Sequence, residues 1–532
     1  MSDPGRPRTG PLVVVLACAA ALVIGTHLWL TIARPDRAIF SFDSAEYALA
    51  ARELLRTGVL ATPFAYLALL PAGAHPPYPL VAGNPMLPLL QVPAFALFGV
   101  HAWVSLVPAV ILYVVVVVLV GLLALEATGS VALAVVAGVA LALQPQVLLV
   151  TADPLSEMVF SAPWTAALLL LVRGARRPRP LAVGALLGLA HLARPVLLPM
   201  IPAWLVGVAL QAPRGKRLQH LARFAAGFAP FLVGLSAYYV ATTGSPWSRA
   251  GGLMVLTGLG PGFGEHDVAR QISPPAPLAW IRAHPQAFWE KLVRGSAAML
   301  PRMLGLGGRV IGILFLVHLV RPGLDGRARF VLAFSVVALT ALAVLTLPWA
   351  LYLLPLVPVA VALGLAEAWR LARAARAPAW LAVALAAVLG AWYCARPTIA
   401  AWQAATASDR PVGRRLQERE MVAFGRALAA RVPAGTIVCS DMAPWIAWYA
   451  DRTSLVLPMS LAALDTARAR WQVGAIVLTN EWDDHTRAAE PWPAVWEGRA
   501  PLPGWACHDT LVAGQLRALV LLPEASRDRD AR

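Results

Sequence analysis

Long apolar segments recur through the sequence from near its beginning to residue 395, and they restrict its fold more than any other feature. Two of the longest are residues 107–125 and 348–368. A helix of about 20 apolar residues is long enough to cross the hydrocarbon layer of a bilayer. Only 14% of the residues are charged, compared with about 25% in a typical soluble globular chain. The sequence therefore predicts a mainly α-helical, polytopic membrane protein.

About eleven segments have the composition of membrane spans. The pattern predicts them at residues 11–33, 102–125, 130–145, 155–172, 180–192, 195–211, 222–241, 308–320, 329–346, 348–368 and 378–395. The neighbouring segments five and six can also be read as one helix with a kink at Pro195, because sharp kinks occur at proline. Both interpretations stay open at this point.

The basic residues between the apolar segments predict the orientation of the chain. Lys and Arg favour the cytoplasmic side of a membrane, and the short loops separate into a basic set and a set without Lys or Arg. The basic set consists of residues 173–179, 214–223, 321–329 and 370–376; the other set consists of residues 144–154 and 346–348, and residues 191–195, which also fall outside, carry one Arg. With Arg6 and Arg8 inside, residues 34–100, 242–307 and 396–532 fall outside. We therefore expect a multi-pass membrane protein whose C-terminal part is extracytoplasmic.

The net charge of +16 does not indicate a nucleic-acid-binding protein. The basic residues lie in short clusters between apolar segments, whereas a nucleic-acid surface gathers them on one face. We assign this charge to membrane orientation and to contact with membrane lipids.

Residues 396–532 have the pattern of a small α/β domain. EREMVAFGRALAARVPAG is typical of an amphipathic helix, and TIVCS and GAIVLTN are typical of short buried strands because they are β-branched and bounded by turn residues. We therefore divide the chain into a transmembrane domain, residues 1–395, and an extracytoplasmic domain, residues 396–532. Cys439 and Cys507 lie in the second part, and the sequence leaves open whether they pair.

The stretch SFDSAEYALAARELLRTG, residues 41–58, places carboxylates directly after the first apolar segment. Asp43 and Tyr47 are four residues apart and share a face of a helix. An apolar stripe accompanies them, formed by Ala48, Leu49, Leu54 and Leu55. The pattern predicts an amphipathic helix on the outer membrane surface. Ser41 or Asp43 is expected near the N-cap, and Asp43 is either a functional carboxylate or only a cap of this helix, since Asp is a favoured cap.

The stretch LLVTADPLSEMVF contains a second acidic pair, Asp153 and Glu157, at the start of a predicted span. With a spacing of four residues they are expected to share one helical face. A carboxylate in or near a span is costly and indicates a function by default. Asp153 before Pro154 also fits a helix cap, which explains Glu157 less well. A carboxylate can act as a general base towards a hydroxyl, and such a pair can hold a divalent cation such as Mg²⁺ or Mn²⁺.

In chain order, these motifs resemble those of the GT-C superfamily of membrane glycosyltransferases. The nearest likeness is to the bacterial branch related to protein O-mannosyltransferases and to aminoarabinose and lipopolysaccharide-core sugar transferases. The motifs are FDSAEYALAARELLRTG, NPMLPLLQVPAFALFG, ADPLSE, GLAHLARPVLLPMIPAWLV and YLLPLVP, spread over residues 11–395. The resemblance implies a GT-C bundle of about eleven transmembrane helices with outer-loop amphipathic helices, plus a small C-terminal α/β periplasmic domain. It also implies a polyprenyl-phosphate-linked sugar donor; the acceptor can be a lipid, a glycan or a protein.

The resemblance assigns roles to the acidic motifs. Asp43 is implied to be the catalytic base, and Tyr47 matches the aromatic position four residues later. Asp153 and Glu157 match the second acidic motif and are implied to line the same cavity. Many relatives carry a second acid directly after the base; here Glu46 is the candidate to replace it.

The sequence departs from the family pattern at two further places. Relatives often have a basic or His residue before the Pro pair that enters the next helix, whereas Asn84 stands there and His75 is the alternative. Relatives often have a basic residue before YLLP, whereas Leu precedes Tyr352. Arg194 is therefore a candidate for contact with the donor phosphate, or else an Arg that reaches the membrane interface.

Two other classes of function compete with a glycosyltransferase. A flippase or transporter of polyprenyl lipids usually places polar groups near the bilayer midplane, on broken helices in paired halves. The acidic motifs here lie at predicted outer ends of spans, and the halves show no symmetry, which favours the enzyme. A structural subunit of an envelope-glycan assembly complex is the third possibility.

Overall fold

The computed structural model describes residues 9–524, except 71–72, 82, 175–177, 261, 265–266, 322–324, 408–415 and 482–490. Some arginines on which the predicted orientation depends, Arg6, Arg8, Arg176 and Arg177, lie outside the described residues.

Most of the described chain is helical. The α-helices are α1 (Thr9–Leu28), α2 (Phe42–Thr57), α3 (Met86–Phe98), α4 (Val107–Thr128), α5 (Val131–Ala142), α6 (Pro145–Ala152), α7 (Ser156–Arg173), α8 (Pro180–Ala193), α9 (Ile201–Gln211), α10 (Arg217–Thr243), α11 (Arg249–Leu253), α12 (Asp267–Arg270), α13 (Pro277–Ala283), α14 (Pro285–Leu304), α15 (Arg309–Val320), α16 (Gly326–Leu345), α17 (Val357–Ala374), α18 (Ala379–Gly390), α19 (Arg396–Ala407), α20 (Glu418–Arg431), α21 (Ala443–Tyr449), α22 (Leu461–Trp471) and α23 (Trp492–Trp496).

Each predicted apolar segment coincides with a helix, because an apolar segment in a bilayer has to satisfy its backbone polar groups within itself. Among the described residues, six helices are long and apolar enough to cross a membrane, or up to eight if each of two bent pairs is one span. The bent pairs are α5 with α6, at 52°, and α14 with α15, at 93°. The protein is therefore a multi-pass membrane protein, and the count of eleven spans stays a prediction.

The segments before and after Pro195 are two helices rather than one kinked helix. Helix α8 ends at Ala193, and Arg194 has an extended backbone with φ −156° and ψ 124°. A 3₁₀ turn, Pro195–Met200, then leads into α9. The residue before a proline avoids the helical region, so the break falls one residue earlier than the proline itself.

The described residues form two compact units. The first, which we call the helical unit, comprises residues from 1–31, 106–238 and 293–407. The second, the mixed unit, comprises residues from 32–105, 239–292 and 408–532. The mixed unit therefore draws on three segments that are separated in the sequence by membrane helices.

The mixed unit contains the strands of the protein. They are β1 (Ala61–Thr62), β2 (Phe64–Ala65), β3 (Tyr78–Pro79), β4 (Ile437–Ser440), β5 (Ser454–Val456), β6 (Val473–Thr479), β7 (Trp505–Ala513) and β8 (Leu516–Pro523). Strands β1 and β3 form a small antiparallel pair. The other six form one sheet in the order β2-β5-β4-β6-β8-β7, in which β2, β5, β4 and β6 are parallel. Both strands predicted in the C-terminal part are present, as β4 and β6.

The central strands β4 and β6 have mostly apolar sequences because both faces of the sheet are covered there. Alternate residues of β6 enter different cores: Ile476 packs with α22 and α23, whereas Val477 packs with α20. A strand that is buried on both faces reads as a continuous apolar run rather than as an alternation. The predicted amphipathic helix is α20, whose buried residues Met421, Phe424 and Leu428 face the second core.

Strand β2 lies in the first long loop of the sequence, yet it forms an edge of the sheet. Phe64 and Ala65 pair in parallel with Ser454 and Leu455.

The domain boundary at residues 395 and 396 stays a prediction, and the contacts group α19 with the helical unit. The two predicted outer loops, in contrast, contribute residues to the same compact unit as the C-terminal segment.

Candidate active site

The acidic helix α2 carries the candidate base at its exposed first turn. Asp43 is exposed there, whereas Glu46, one turn later, is only 4% exposed. The N-cap of α2 is Ser41, whose backbone N–H donates to the hydroxyl oxygen of Ser44 at 2.8 Å. These two serines form a capping box, which satisfies the first backbone groups of the helix. The alternative interpretation, in which Asp43 is the N-cap, is therefore wrong.

The carboxyl group of Glu46 is held by two groups that are distant in the sequence. The Tyr66 hydroxyl donates to one oxygen at 3.3 Å, and the Gly83 backbone N–H donates to the other at 3.2 Å. A small cleft opens beside this carboxyl group, and its walls include Thr62, Tyr66 and Val81. The predicted substrate-binding residue Glu46 therefore faces a concave surface within the mixed unit.

The environment of Glu46 favours its neutral form. The pKa of this carboxyl group is raised from 4.5 to about 8, chiefly by burial and also by the nearby charge of Asp43, against the lowering effect of the Gly83 and Tyr66 hydrogen bonds. Burial likewise raises the pKa of Tyr66 well above its usual range, so its hydroxyl remains a donor. Two neighbouring carboxyl groups in such different environments can divide the roles of base and neutral partner.

Gly83 is required by the close packing around Glu46. A Cβ atom at this position would lie 2.9 Å from Leu80 Cδ1, 3.1 Å from Tyr47 Cε1 and 3.3 Å from Glu46 Oε1. Tyr47, predicted to share this site, is buried and therefore lies against the same loop. Asn84 follows Gly83 directly and is half-buried, whereas His75 is exposed. The structure thus gathers Asp43, Glu46 and Tyr47 near the segment that contains Asn84.

Helix α2 does not lie as an amphipathic helix with one open face. Its residues are buried continuously from Ser44 to Glu53. Arg52 donates to the backbone carbonyls of Ala447 at 2.9 Å and Trp448 at 3.3 Å, at the end of α21. The prediction of a surface helix is wrong for this segment, because the C-terminal part of the chain covers a face that the apolar pattern assigned to lipid.

The helical unit brings together a second set of predicted residues. Glu157, in the first turn of α7, is 4% exposed and accepts a charged hydrogen bond from Arg194. The Arg194 guanidinium also lies 5.9 Å from the ring centroid of Tyr352, within the range of a cation–π contact. Arg194 is therefore held between a buried carboxylate and an aromatic ring, and does not simply extend towards the membrane interface.

Asp153 and Glu157 do not share a helical face, contrary to the prediction. Helix α6 ends with Asp153 as its C-cap residue, and α7 begins after Leu155. The proline at position 154 cannot donate a backbone hydrogen bond, which separates the two helices. Both carboxylates are buried in the helical unit.

The predicted divalent-cation site finds little support in the arrangement of ligands. Nowhere in the described part of the chain do three or more His, Cys, Asp or Glu side chains gather as a metal site would require. One oxygen of Glu157 already accepts from Arg194, whose charge competes with that of a metal ion. A cation at Asp153 and Glu157 therefore stays a prediction.

All four cysteines, including Cys439 and Cys507, are free thiols.

Sequence reasoning missed Tyr66 and Gly83, the two partners of Glu46. Both lie in the Pro-rich stretch between α2 and α3, which has no periodic pattern from which side-chain directions can be read. The signal that was available is local: Gly83 precedes the Asn84–Pro85 pair at the start of α3. Glycine before such a turn allows close backbone approach.

Comparison with known proteins identifies a family model and several solved structures. The model of dolichyl-phosphate-mannose-protein mannosyltransferases matches residues 75–239. Among curated proteins, none matches the sequence. The matched region begins at His75 and includes Asp153, Glu157 and Arg194.

Two solved structures share the fold over most of this chain. The apo oligosaccharyltransferase of Archaeoglobus fulgidus matches with a TM-score of 0.56 and 14% identity, over 87% of this chain and 69% of that one. ArnT from Cupriavidus metallidurans, bound to undecaprenyl phosphate, matches with a TM-score of 0.53 and 12% identity, over 97% of this chain and 98% of that one. At these identities the likeness is one of fold.

Proposed function

We propose that this chain is a membrane glycosyltransferase of the GT-C type and that it transfers a sugar from a polyprenyl-phosphate donor to an acceptor hydroxyl. The match of residues 75–239 to the mannosyltransferase family model and the fold shared with ArnT support this proposal. We further propose that the reaction takes place on the outer side of the bacterial inner membrane. The orientation rests on the distribution of basic residues between the apolar segments.

The observation that carries the proposal is the arrangement at the first turn of α2. Asp43 is exposed and has no capping role, and the buried Glu46 beside it is held by Tyr66 and Gly83. In this proposal Asp43 accepts the proton of the acceptor hydroxyl as its oxygen attacks the sugar carbon. The bond from that carbon to the phosphate oxygen breaks, and the electron pair leaves with the lipid phosphate.

Glu46 is proposed to assist as the neutral member of the pair. With a pKa of about 8 it holds its proton at neutral pH, so it can donate a hydrogen bond to substrate without repelling the charge of Asp43. Ser44 stands where relatives have the second acid, and its use in the capping box supports the assignment of that role to Glu46.

The donor phosphate is proposed to be balanced by Arg194. A lipid phosphate leaving group carries negative charge, and a preoriented guanidinium stabilises such charge. The contacts of Arg194 with Glu157 and Tyr352 fix its position. The structure of ArnT with undecaprenyl phosphate supports a donor of this lipid class.

The decisive experiment compares sugar transfer by the wild type and by Asp43→Asn in membranes supplied with polyprenyl-phosphate sugars. Loss of a general base is expected to lower the rate about a hundredfold or more. Asp465→Asn is the matched control, since Asp465 is an exposed carboxylate on α22 of the same unit. It should transfer at the wild-type rate.

Equal transfer by wild type and Asp43→Asn would show that Asp43 is not the base. If Asp43→Asn and Asp465→Asn both lose activity to the same degree, the effect is a loss of negative charge rather than of a base. If the protein is instead a flippase or a structural subunit, no sugar should be transferred from any of the polyprenyl-phosphate sugars supplied.

A further inference from the structure

A second cluster of charged residues occupies the helical unit at the other end of α17 from Tyr352. Tyr352 lies in the 3₁₀ turn Ala350–Leu356, which precedes α17. Glu367 and Arg370 lie in the second half of the same helix, roughly 22–27 Å further along the chain axis at 1.5 Å per residue. This end carries the basic loops that predict the cytoplasmic side. The cluster is therefore separate from the groups assigned to sugar transfer.

Glu367 is the centre of the cluster and is fully buried, with 0% exposure. Arg370 binds it through two bonds, from Nε at 2.9 Å and from Nη2 at 2.6 Å. His318, near the end of α15, contacts the same carboxylate through Nδ1 at 3.1 Å. Arg321 Nη1 lies 3.7 Å from it. One carboxylate thus has three basic side chains around it.

A further arginine joins the cluster from α16. Arg329 donates to the backbone carbonyl of Arg321 at 2.7 Å and interacts electrostatically with His318. The three arginines of the cluster carry three positive charges against the one negative charge of Glu367, which leaves two positive charges uncompensated within the group. Arg321 and Arg370 hold part of this excess at the surface, where an anion can reach it.

Two polar atoms of the cluster have no partner among the described residues. His318 is 6% exposed, and its Nε2 atom is buried without a hydrogen bond. The Nε atom of Arg329 is buried without one as well. Buried polar groups are nearly always paired, so each such group calls for an explanation. Arg321 and Arg370 have side chains that are 49% and 37% exposed, so the cluster is open to the surface.

We propose that the cluster formed by His318, Arg321, Arg329, Glu367 and Arg370 binds a phosphate group, such as that of an anionic lipid headgroup. A phosphate carries up to two negative charges and several acceptor oxygens, which match the excess charge and the arginine donors. Basic pockets between transmembrane helices are known to bind such headgroups. Glu367 orients Arg370 and His318, and the ligand accepts hydrogen bonds from Arg321 and Arg329.

The test measures anionic lipid bound to the purified full-length protein in phosphatidylcholine nanodiscs that contain phosphatidylglycerol, by native mass spectrometry. The double variant Arg321→Gln/Arg329→Gln should retain about tenfold less phosphatidylglycerol than the wild type, since each basic residue near the surface contributes appreciably. Arg373→Gln is the matched control. It removes one positive charge, as each substitution of the double variant does, from an exposed Arg on α17 whose side chain contacts only the Ala377 carbonyl among the contacts described.

Inorganic phosphate, added as a competitor, identifies the source of the ligand. Displacement of phosphatidylglycerol at millimolar phosphate points to free phosphate, and failure to displace it points to the lipid headgroup; both support the site. Equal lipid retention by wild type and double variant would overturn the proposal, as would an equal loss in Arg373→Gln. If the double variant aggregates, the single variants Arg329→Gln and Arg321→Lys are compared instead. Arg329→Gln should retain less phosphatidylglycerol, whereas Arg321→Lys, which preserves the charge, should retain as much as the wild type.

Discussion

The charge of Glu46 is decided by the residues around it rather than by the solvent. Its carboxyl group is buried against Tyr66 and Gly83, and Asp43 lies near enough to act on it. The folded protein therefore keeps a proton on Glu46 that the unfolded chain releases at a much lower pH. This difference links the stability of the fold to pH.

Between pH 4.5 and about 8, Glu46 is expected to make the folded state less stable as the pH rises. A raised pKa contributes stability that is present below the unfolded value and is lost as the pH approaches the folded value. Glu46→Gln mimics the neutral form and should remove this loss of folded-state stability with rising pH. Thermal unfolding at pH 5, 6.5 and 8 measures the effect, with the exposed Glu497→Gln as control. Parallel pH profiles for wild type and Glu46→Gln would contradict the raised pKa.

The elements around Glu157 join α7 to the turn after α8. The Arg194 side chain comes from a position with an extended backbone between two helices, and it reaches a carboxylate that is 4% exposed. The sequence pattern predicted both helices but placed the carboxylate pair on one face. It could not show the break after Asp153, because Asp–Pro is equally typical of a helix start and of a helix end.

Arg194→Gln should destabilise the helical unit by about 3–5 kcal/mol, because it leaves a buried carboxylate without its charge partner. Arg173→Gln is a control on the same α7: Arg173 pairs with Glu126 at 2.7 Å, and both side chains are partly exposed. Arg173→Gln should lower the unfolding free energy by about 1 kcal/mol or less.

The second change Glu157→Gln tests whether the cost of Arg194→Gln comes from the unpaired charge. In the Arg194→Gln background it should recover a large part of the lost unfolding free energy, measured by denaturant or heat in detergent. Additive losses would show that the two side chains stabilise the fold independently.

The length of the apolar segments predicted the helices that coincide with them, and short runs of β-branched residues predicted β4 and β6. The participation of β2 in their sheet could not be predicted, since it is two residues long and lies in a Pro-rich loop. Its partner strand is specified by backbone hydrogen bonds, such as Ser454 N–H to the Pro63 carbonyl at 2.9 Å. Backbone pairing leaves no mark on side-chain pattern at a strand this short.

A chain that ends at residue 407 should insert into membranes but lose sugar transfer. It lacks β5, the partner of β2, and the α21 carbonyls that bind Arg52, so α2 loses the contacts that hold it. Insertion is measured by membrane fractionation and transfer by the assay used for Asp43→Asn. A chain that ends at residue 524 keeps β8 and should remain active. Full transfer by the shorter chain would contradict this role of the C-terminal segment.

The contact between Arg52 and Ala447 joins residues that are 395 positions apart, and this separation has a consequence in time. At a synthesis rate of about 5–20 residues per second, the ribosome needs roughly 20–80 s to make the intervening chain. During that interval α2 and β2 lack the partners that later enclose them. The candidate base is therefore among the first parts of the protein to leave the ribosome and among the last to reach its final surroundings.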